Sequence, residues 1–221
     1  MEFKRVSESI VIISGWGVKV RIRLEYEKDG GLRYSSTLDL QKIWERSFRR
    51  AKIKMAYTQG FHPHPKMQIA LPLPLGFLSQ VEIIDIWIED DLKLDAIKNR
   101  FSGALPHGLR IKSIRIIENS EKSLVDQIQS VSYTIKIKDS HLILDELQNK
   151  IVNFLQKDSI LRTRRKRSYD LRPLVNSLIL ISEKKSGDLI LLNLAAESGK
   201  TGRPDEAVSY THLTLPTTPY V

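Results

Sequence analysis

The sequence predicts an α+β protein of two βαββαβ-type units with antiparallel sheets, the second unit truncated. Three observations carry this reading. Strand-like alternation and helix-like periodicity follow each other in the same order in both halves, a polar joint at Glu118–Lys122 separates them, and the second series breaks off before it is complete. No repeat at the level of sequence supports the duplication; the order of elements alone does.

Residues 1–16 are read as an N-terminal extension. Val18, Val20, Ile22, Leu24 and Tyr26 then alternate with Lys19, Arg21, Arg23, Glu25 and Glu27, the mark of a strand with one buried and one solvent face. Lys28-Asp29-Gly30-Gly31 offers positive-φ positions for a turn, so Leu32–Tyr34 is expected to return as a hairpin strand. Ser36 and Asp39 are spaced as a capping box. The helix they open carries Leu40, Ile43, Trp44, Phe48 and Ala51 on one stripe, with Lys42, Arg46, Arg49 and Arg50 largely off it.

Prolines crowd residues 57–76 and exclude helix, leaving Met67–Leu71 as a short strand. Val81–Glu89 is apolar on both faces and is expected to be central in its sheet. Leu92–Phe101 reads as a helix stopped by Gly103 and Pro106, and Leu109–Glu118 as a strand. Without the hairpin strand, residues 17–118 give βαββαβ, the ferredoxin-like order.

In the second half, residues 123–207, Val131, Tyr133, Ile135 and Ile137 mark a strand and His141–Gln156 a helix. Strands are expected at about Ile160–Arg167, Leu174–Ser182 and Leu189–Ala195, and a further helix from Arg203-Pro204. That makes a truncated second ferredoxin-like unit. Residues 208–221 carry no charge, and Val-Ser-Tyr-Thr-His-Leu is the translation of a common transposon-type sequencing adapter. We therefore read 208–221 as a sequencing-adapter artefact, expected to pack against neither unit, with the natural chain cut near Ala207.

Cysteine is absent from the 221 residues, which excludes disulfides, thiolate nucleophiles and Cys-ligated zinc or iron–sulfur clusters within them. No apolar run is long enough for a membrane span and the N-terminus has no signal-peptide core, so a cytoplasmic location without membrane contact is expected. Lys and Arg total 35 against 26 Asp and Glu, a net charge of +9 that favours a polyanionic partner.

The basic residues cluster twice. Between Thr37 and Lys54, Arg46, Arg49 and Arg50 join Lys42, Lys52 and Lys54 against only Asp39 and Glu45. Around the predicted strand at 160–167, Arg162, Arg164, Arg165, Lys166 and Arg167, with Arg172, stand against Asp170. Four consecutive like charges on a strand repel, so a role in solubility alone explains them poorly, and phosphate contact is the functional reading. The loop Gln59–Lys66 adds Phe61, His62, His64 and Lys66 on a proline-stiffened frame, suited to stacking on and hydrogen-bonding RNA, or else serving as a structural turn. Phe61, His62 and Lys66 are expected beside Arg46 or Arg50 in one concave site. His62 and His64 have no carboxylate nearby in sequence, so no metal site is assigned. No cofactor and no convincing catalytic constellation are assigned either; Glu82 and Asp85 read as isolated carboxylates.

Several stretches in this order resemble the radical-SAM-linked (radical SAM-associated) proteins of unknown function, encoded beside or fused to cobalamin-binding radical SAM proteins. They are Val20–Arg23, Glu27–Tyr34, Ser36–Leu40, Glu45–Ala51, Tyr57–Lys66 joined to Pro72–Gly76, Tyr169–Leu174 and Gly202–Glu206. One departure is Thr37, where that family usually has histidine. The resemblance implies a radical SAM enzyme as partner and a genetic setting near RNA processing. Together with the basic clusters it gives the expectation of an accessory that binds RNA and presents it to that enzyme. A stand-alone enzyme acting on RNA or nucleotides through the 59–66 loop, and a protein-only adaptor, remain as alternatives.

Overall fold

The structure is a computed structural model that describes residues 19–89, 93–137, 144–164, 166–183, 187–197 and 199–210. The expected N-terminal extension, Arg165 and the expected artefact from residue 211 onward lie outside these. The chain divides into two compact units between Leu124 and Val125.

The first unit runs β1 (Val20–Lys28), α1 (Thr37–Arg50), β2 (Met67–Ile69), β3 (Ser79–Ile88), α2 (Leu94–Phe101) and β4 (Leu109–Ile117). Its sheet has the order β2-β3-β1-β4 with every neighbouring pair antiparallel, the ferredoxin-like arrangement. Period-two alternation explains the packing. Ile22, Leu24 and Tyr26 of β1 and Ile84, Ile86 and Ile88 of β3 share one face and pack in one core with Leu40, Trp44 and Phe48 of α1 and Ile97 and Phe101 of α2. Tyr26 meets Trp44, and Phe48 meets Phe101, edge-on with centroids 4.9 Å apart. Each such pair contributes roughly 0.5–1.5 kcal/mol beyond the area it buries.

Helix α1 starts at the capping box its sequence announces: Asp39 N–H donates to Ser36 Oγ, and Ser36 N–H to Asp39 Oδ2, both at 3.2 Å. It stops where Lys52 takes φ 54°. Lys52 N–H then reaches back to Arg49 C=O and Ile53 N–H to Phe48 C=O, a Schellman ending.

Two expectations for this unit need correction. Gly30–Tyr34 is a 3-10 turn leading into α1, not a hairpin strand. Asp29 Oδ1 accepts from Gly30 N–H and Asp29 C=O from Leu32 N–H, which coils the chain. Strand β1 also has both edges occupied, by β3 and β4, so no place remains for a returning partner. The second correction concerns the outer face of β1, expected in solvent: Arg21 and Arg23 are buried there.

What covers Arg21 is the joint itself. Arg21 donates to the carbonyls of Glu121 and Lys122 at 3.0 Å, and Leu124 N–H donates to Gln68 Oε1 of β2 at 3.0 Å. The chain leaving β4 therefore returns as a strap across the sheet face opposite the helices.

In the second unit, α3 (Leu124–Gln127) lies at the division, followed by β5 (Ser130–Lys136), α4 (Leu144–Leu155), β6 (Leu161–Arg164), β7 (Arg167–Asp170), β8 (Val175–Glu183), β9 (Gly187–Glu197), β10 (Lys200–Thr201) and α5 (Pro204–Tyr210). Strand β9 pairs antiparallel with β8 and β5, and β10 folds back on its end. The order β8-β9-β5 repeats β2-β3-β1 of the first unit; a counterpart of β4 is not among the described residues. Leu147, Ile151 and Phe154 of α4 pack in one core with Leu178, Ile190, Leu192 and Leu194. Ala207 and Val208 of α5 are buried, and the Tyr210 ring stands edge-on to Phe154 at 5.4 Å. Residues 208–210, expected to pack nowhere, are thus the last turn of a helix whose apolar face completes this unit.

Candidate functional site

The basic run of the second unit is a hairpin rather than the single strand expected over 160–167. Leu161 pairs with Asp170 and Arg164 with Arg167, so the run folds back on itself, with Lys166 at φ 65°. The base is closed by Asp170, whose Oδ1 accepts from Ile160 N–H at 2.8 Å and Arg172 N–H at 3.0 Å. These bonds hold the Asp170 carboxyl below its ordinary range, the Ile160 N–H first among the causes. The two-stranded ribbon leaves Lys166 and Arg167 exposed, where water screens their charges.

The hairpin sorts its cations by role. Arg162 Nε donates to Glu206 Oε2 at 2.7 Å, which ties the ribbon to α5. Arg172 donates to the carbonyls of Leu155 and Val175. Both make bonds within the fold. Lys166 and Arg167 stand exposed at the tip, and the Arg164 backbone lies beside them.

In the first unit, Arg46, Arg49 and Arg50 are exposed along α1, Arg49 paired with Glu45 at 3.0 Å across one turn. Residues 57–66 form a projecting hairpin, closed by the Tyr57–Pro65 bridge and by Thr58 N–H donating to His64 C=O at 2.8 Å. Phe61 at its tip is 101% exposed, and His62 and His64 are exposed too. Among the described residues, no group of three or more His, Cys, Asp or Glu is placed to hold a metal ion.

The expected concave site of Phe61, His62 and Lys66 beside Arg46 or Arg50 does not form as imagined. Lys66 Nζ lies 4.4 Å from the centroid of the Trp87 ring, on the strap side of the sheet and away from α1. A groove does open at the C-terminal half of α1, but with other residues. Glu45 and Arg49 line it together with Ile53, Lys54, Met55, Tyr57 and Glu89. Of the α1 cations named from the sequence, Arg49 alone lines it. Tyr57 belonged to a recognised stretch, whereas Glu89 gave no signal, since only strand pairing brings the end of β3 beside residues 54–57. Glu89 N–H donates to Lys54 C=O, and Ala56 N–H to Trp87 C=O.

The two carboxylates read from the sequence as isolated, Asp85 and Glu82, are buried beside basic side chains. Asp85, fully buried, accepts from both Arg21 and Arg23 of β1. Glu82 sits near buried Lys28 at a recess beside the N-terminus of α1, bordered by Ser35, Ser36 and Thr37. Burial pushes the Glu82 carboxyl up to about 7, with a Ser79 hydrogen bond and the Lys28 charge opposing. Burial likewise lowers the Lys28 ammonium, opposed by the Glu82 charge. The recess has room for no more than about one water molecule, so it is a polar joint under Pro72 and Leu73 rather than a ligand pocket.

The model of a family described as "uncharacterized protein conserved in bacteria" matches residues 21–204. No curated protein matches the chain.

Proposed function

The chain belongs to that bacterial family, DUF2344, and on this footing we propose that it is an RNA-binding accessory which presents RNA to a radical SAM enzyme. The single observation that carries the RNA half is the β6–β7 ribbon. It projects Lys166 and Arg167 at a tip where the neighbouring cations Arg162 and Arg172 have been diverted to structural bonds. Such a ribbon can lie along a phosphate backbone, and the exposed arginines of α1 and the aromatic tip of the 57–66 hairpin supply a second contact region. A net charge of +9 draws in a polyanion.

The radical SAM half rests on the resemblance of the Tyr57–Lys66, Pro72–Gly76 and Tyr169–Leu174 stretches to radical-SAM-linked proteins. With no cysteine in the 221 residues, Cys ligands for an iron–sulfur cluster would come from the partner.

Crosslinking in cells, recording both bound RNA and bound protein, tests the two halves separately. RNA recovered at the 161–170 ribbon supports the first, and a radical SAM enzyme among the bound proteins supports the second. Recovery of protein alone favours the adaptor reading.

A further inference from the structure

The groove at the end of α1 allows a sharper assignment, which rests on the RNA reading above. Its volume of about 340 Å³ falls within the range of small-molecule sites, roughly 300–1,000 Å³. Buried Ile53 and Met55 provide an apolar floor, and Tyr57, 42% exposed, offers an aromatic face. The carboxylates of Glu45 and Glu89 offset the charges of Arg49 and Lys54, so the groove has no net charge. Such a surface favours a flat polar ring over a phosphate.

Glu89 selects the ring. Its carboxylate pairs with Lys19, Oε1 lying 3.9 Å from Nζ, and its side chain stays 42% exposed. Its two carboxylate oxygens present two acceptors side by side. Of the four RNA bases, guanine alone offers two adjacent donors, N1–H and N2–H, on its Watson–Crick edge; adenine, cytosine and uracil each set a donor beside an acceptor.

We propose that this groove takes a guanine base of single-stranded RNA, stacked on Tyr57 with its N1–H and N2–H on Glu89. Arg49, exposed on α1, then faces a flanking phosphate. Phe61, at the tip of the hairpin that starts from Tyr57, stacks a neighbouring base.

Fluorescence anisotropy of the full chain with three labelled RNA octamers tests this: oligouridine, the same with one central guanosine, and the same with inosine, which lacks the N2 amino group. The guanosine octamer binds about tenfold tighter than oligouridine, the scale of one good bidentate base contact, and inosine falls between. Glu89→Gln loses the preference for guanosine over oligouridine, and Tyr57→Ala weakens binding of all three. Equal binding of the three by the wild type overturns the groove assignment and leaves the RNA reading standing. So does a preference that survives Glu89→Gln, or a Tyr57→Ala variant that binds as before. Failure of the wild type to bind any octamer overturns both.

Discussion

Arg21 Nη2 lies 2.5 Å from Asp85 Oδ2 in the interior of the first unit, where neither side chain is more than 4% exposed. Arg23, two residues along the same face of β1, donates to Asp85 as well, its Nε 2.6 Å from Oδ1. The carboxylate therefore joins the two central strands and, through the bonds of Arg21 to Glu121 and Lys122, orients the strap.

Removing Asp85 leaves two buried guanidinium groups without their anion. Asp85→Ala is expected to cost about 3–5 kcal/mol. Arg21→Met costs less, about 1–3 kcal/mol, because Asp85 keeps Arg23 while the strap carbonyls lose a donor. Urea denaturation of the two variants checks the order; an Asp85→Ala midpoint close to that of the wild type defeats the assignment.

Glu82 makes stability depend on pH in a stated direction. Its carboxyl is raised from 4.5 to about 7 by burial, so the folded state holds the proton more tightly than the unfolded chain. The contribution is complete below about pH 4.5 and is lost as pH rises to about 7, on the order of 3 kcal/mol in all. Glu82→Gln, a neutral mimic of the protonated form, should match the wild type at pH 4.5 and exceed it at pH 8. Denaturation at both pH values reads the difference directly, and a gap that does not change with pH contradicts it.

Gly108 and Gly103 separate backbone strain from collision. Both have positive φ, 88° and 79°. A Cβ on Gly108 would lie 2.5 Å from Asp29 C=O, whereas one on Gly103 meets nothing within 4 Å. Gly103→Ala is expected to cost about 1–2 kcal/mol from conformation alone. Gly108→Ala costs more, because it also disturbs the bond from Asp29 N–H to Gly108 C=O. Thermal denaturation of both variants ranks them; equal midpoints refute the collision.

Lys166→Asn with Arg167→Gln removes the exposed charge of the ribbon tip, and asparagine tolerates the positive φ at 166. If both residues contact phosphates, the slope of log K against log[salt] falls by about 1.4–1.8. The far-ultraviolet circular dichroism stays native. Unchanged affinity and slope remove the ribbon from the interface.

Much of the architecture was legible in the chain because it depends on neighbours in sequence. Period-two alternation placed β1 and β5, the stripe from Leu40 to Phe48 placed α1, and the Ser36/Asp39 spacing placed its first turn. The apolar character of Val81–Glu89 announced a central strand. The same local signals misled where a turn was in question. Gly30-Gly31 suited a hairpin as well as a 3-10 turn, and only the occupied edges of β1 decide between them. The run 160–167 gave no sign that it divides into two paired strands.

The candidate site was the harder part. A cation's role depends on what the fold sets beside it: Arg162 and Arg167 look alike in sequence, yet Glu206 of α5 claims the first and leaves the second at the tip. The sequence by itself determined which segments become strands and helices and that the chain is basic, since hydrophobic period and charge are properties of residue order. Tertiary structure alone decided that Asp85 is an anchor, Glu82 a protonatable group and Glu89 the wall of a groove. Burial, strand register and the distance between opposite charges arise only when segments far apart in the chain are paired.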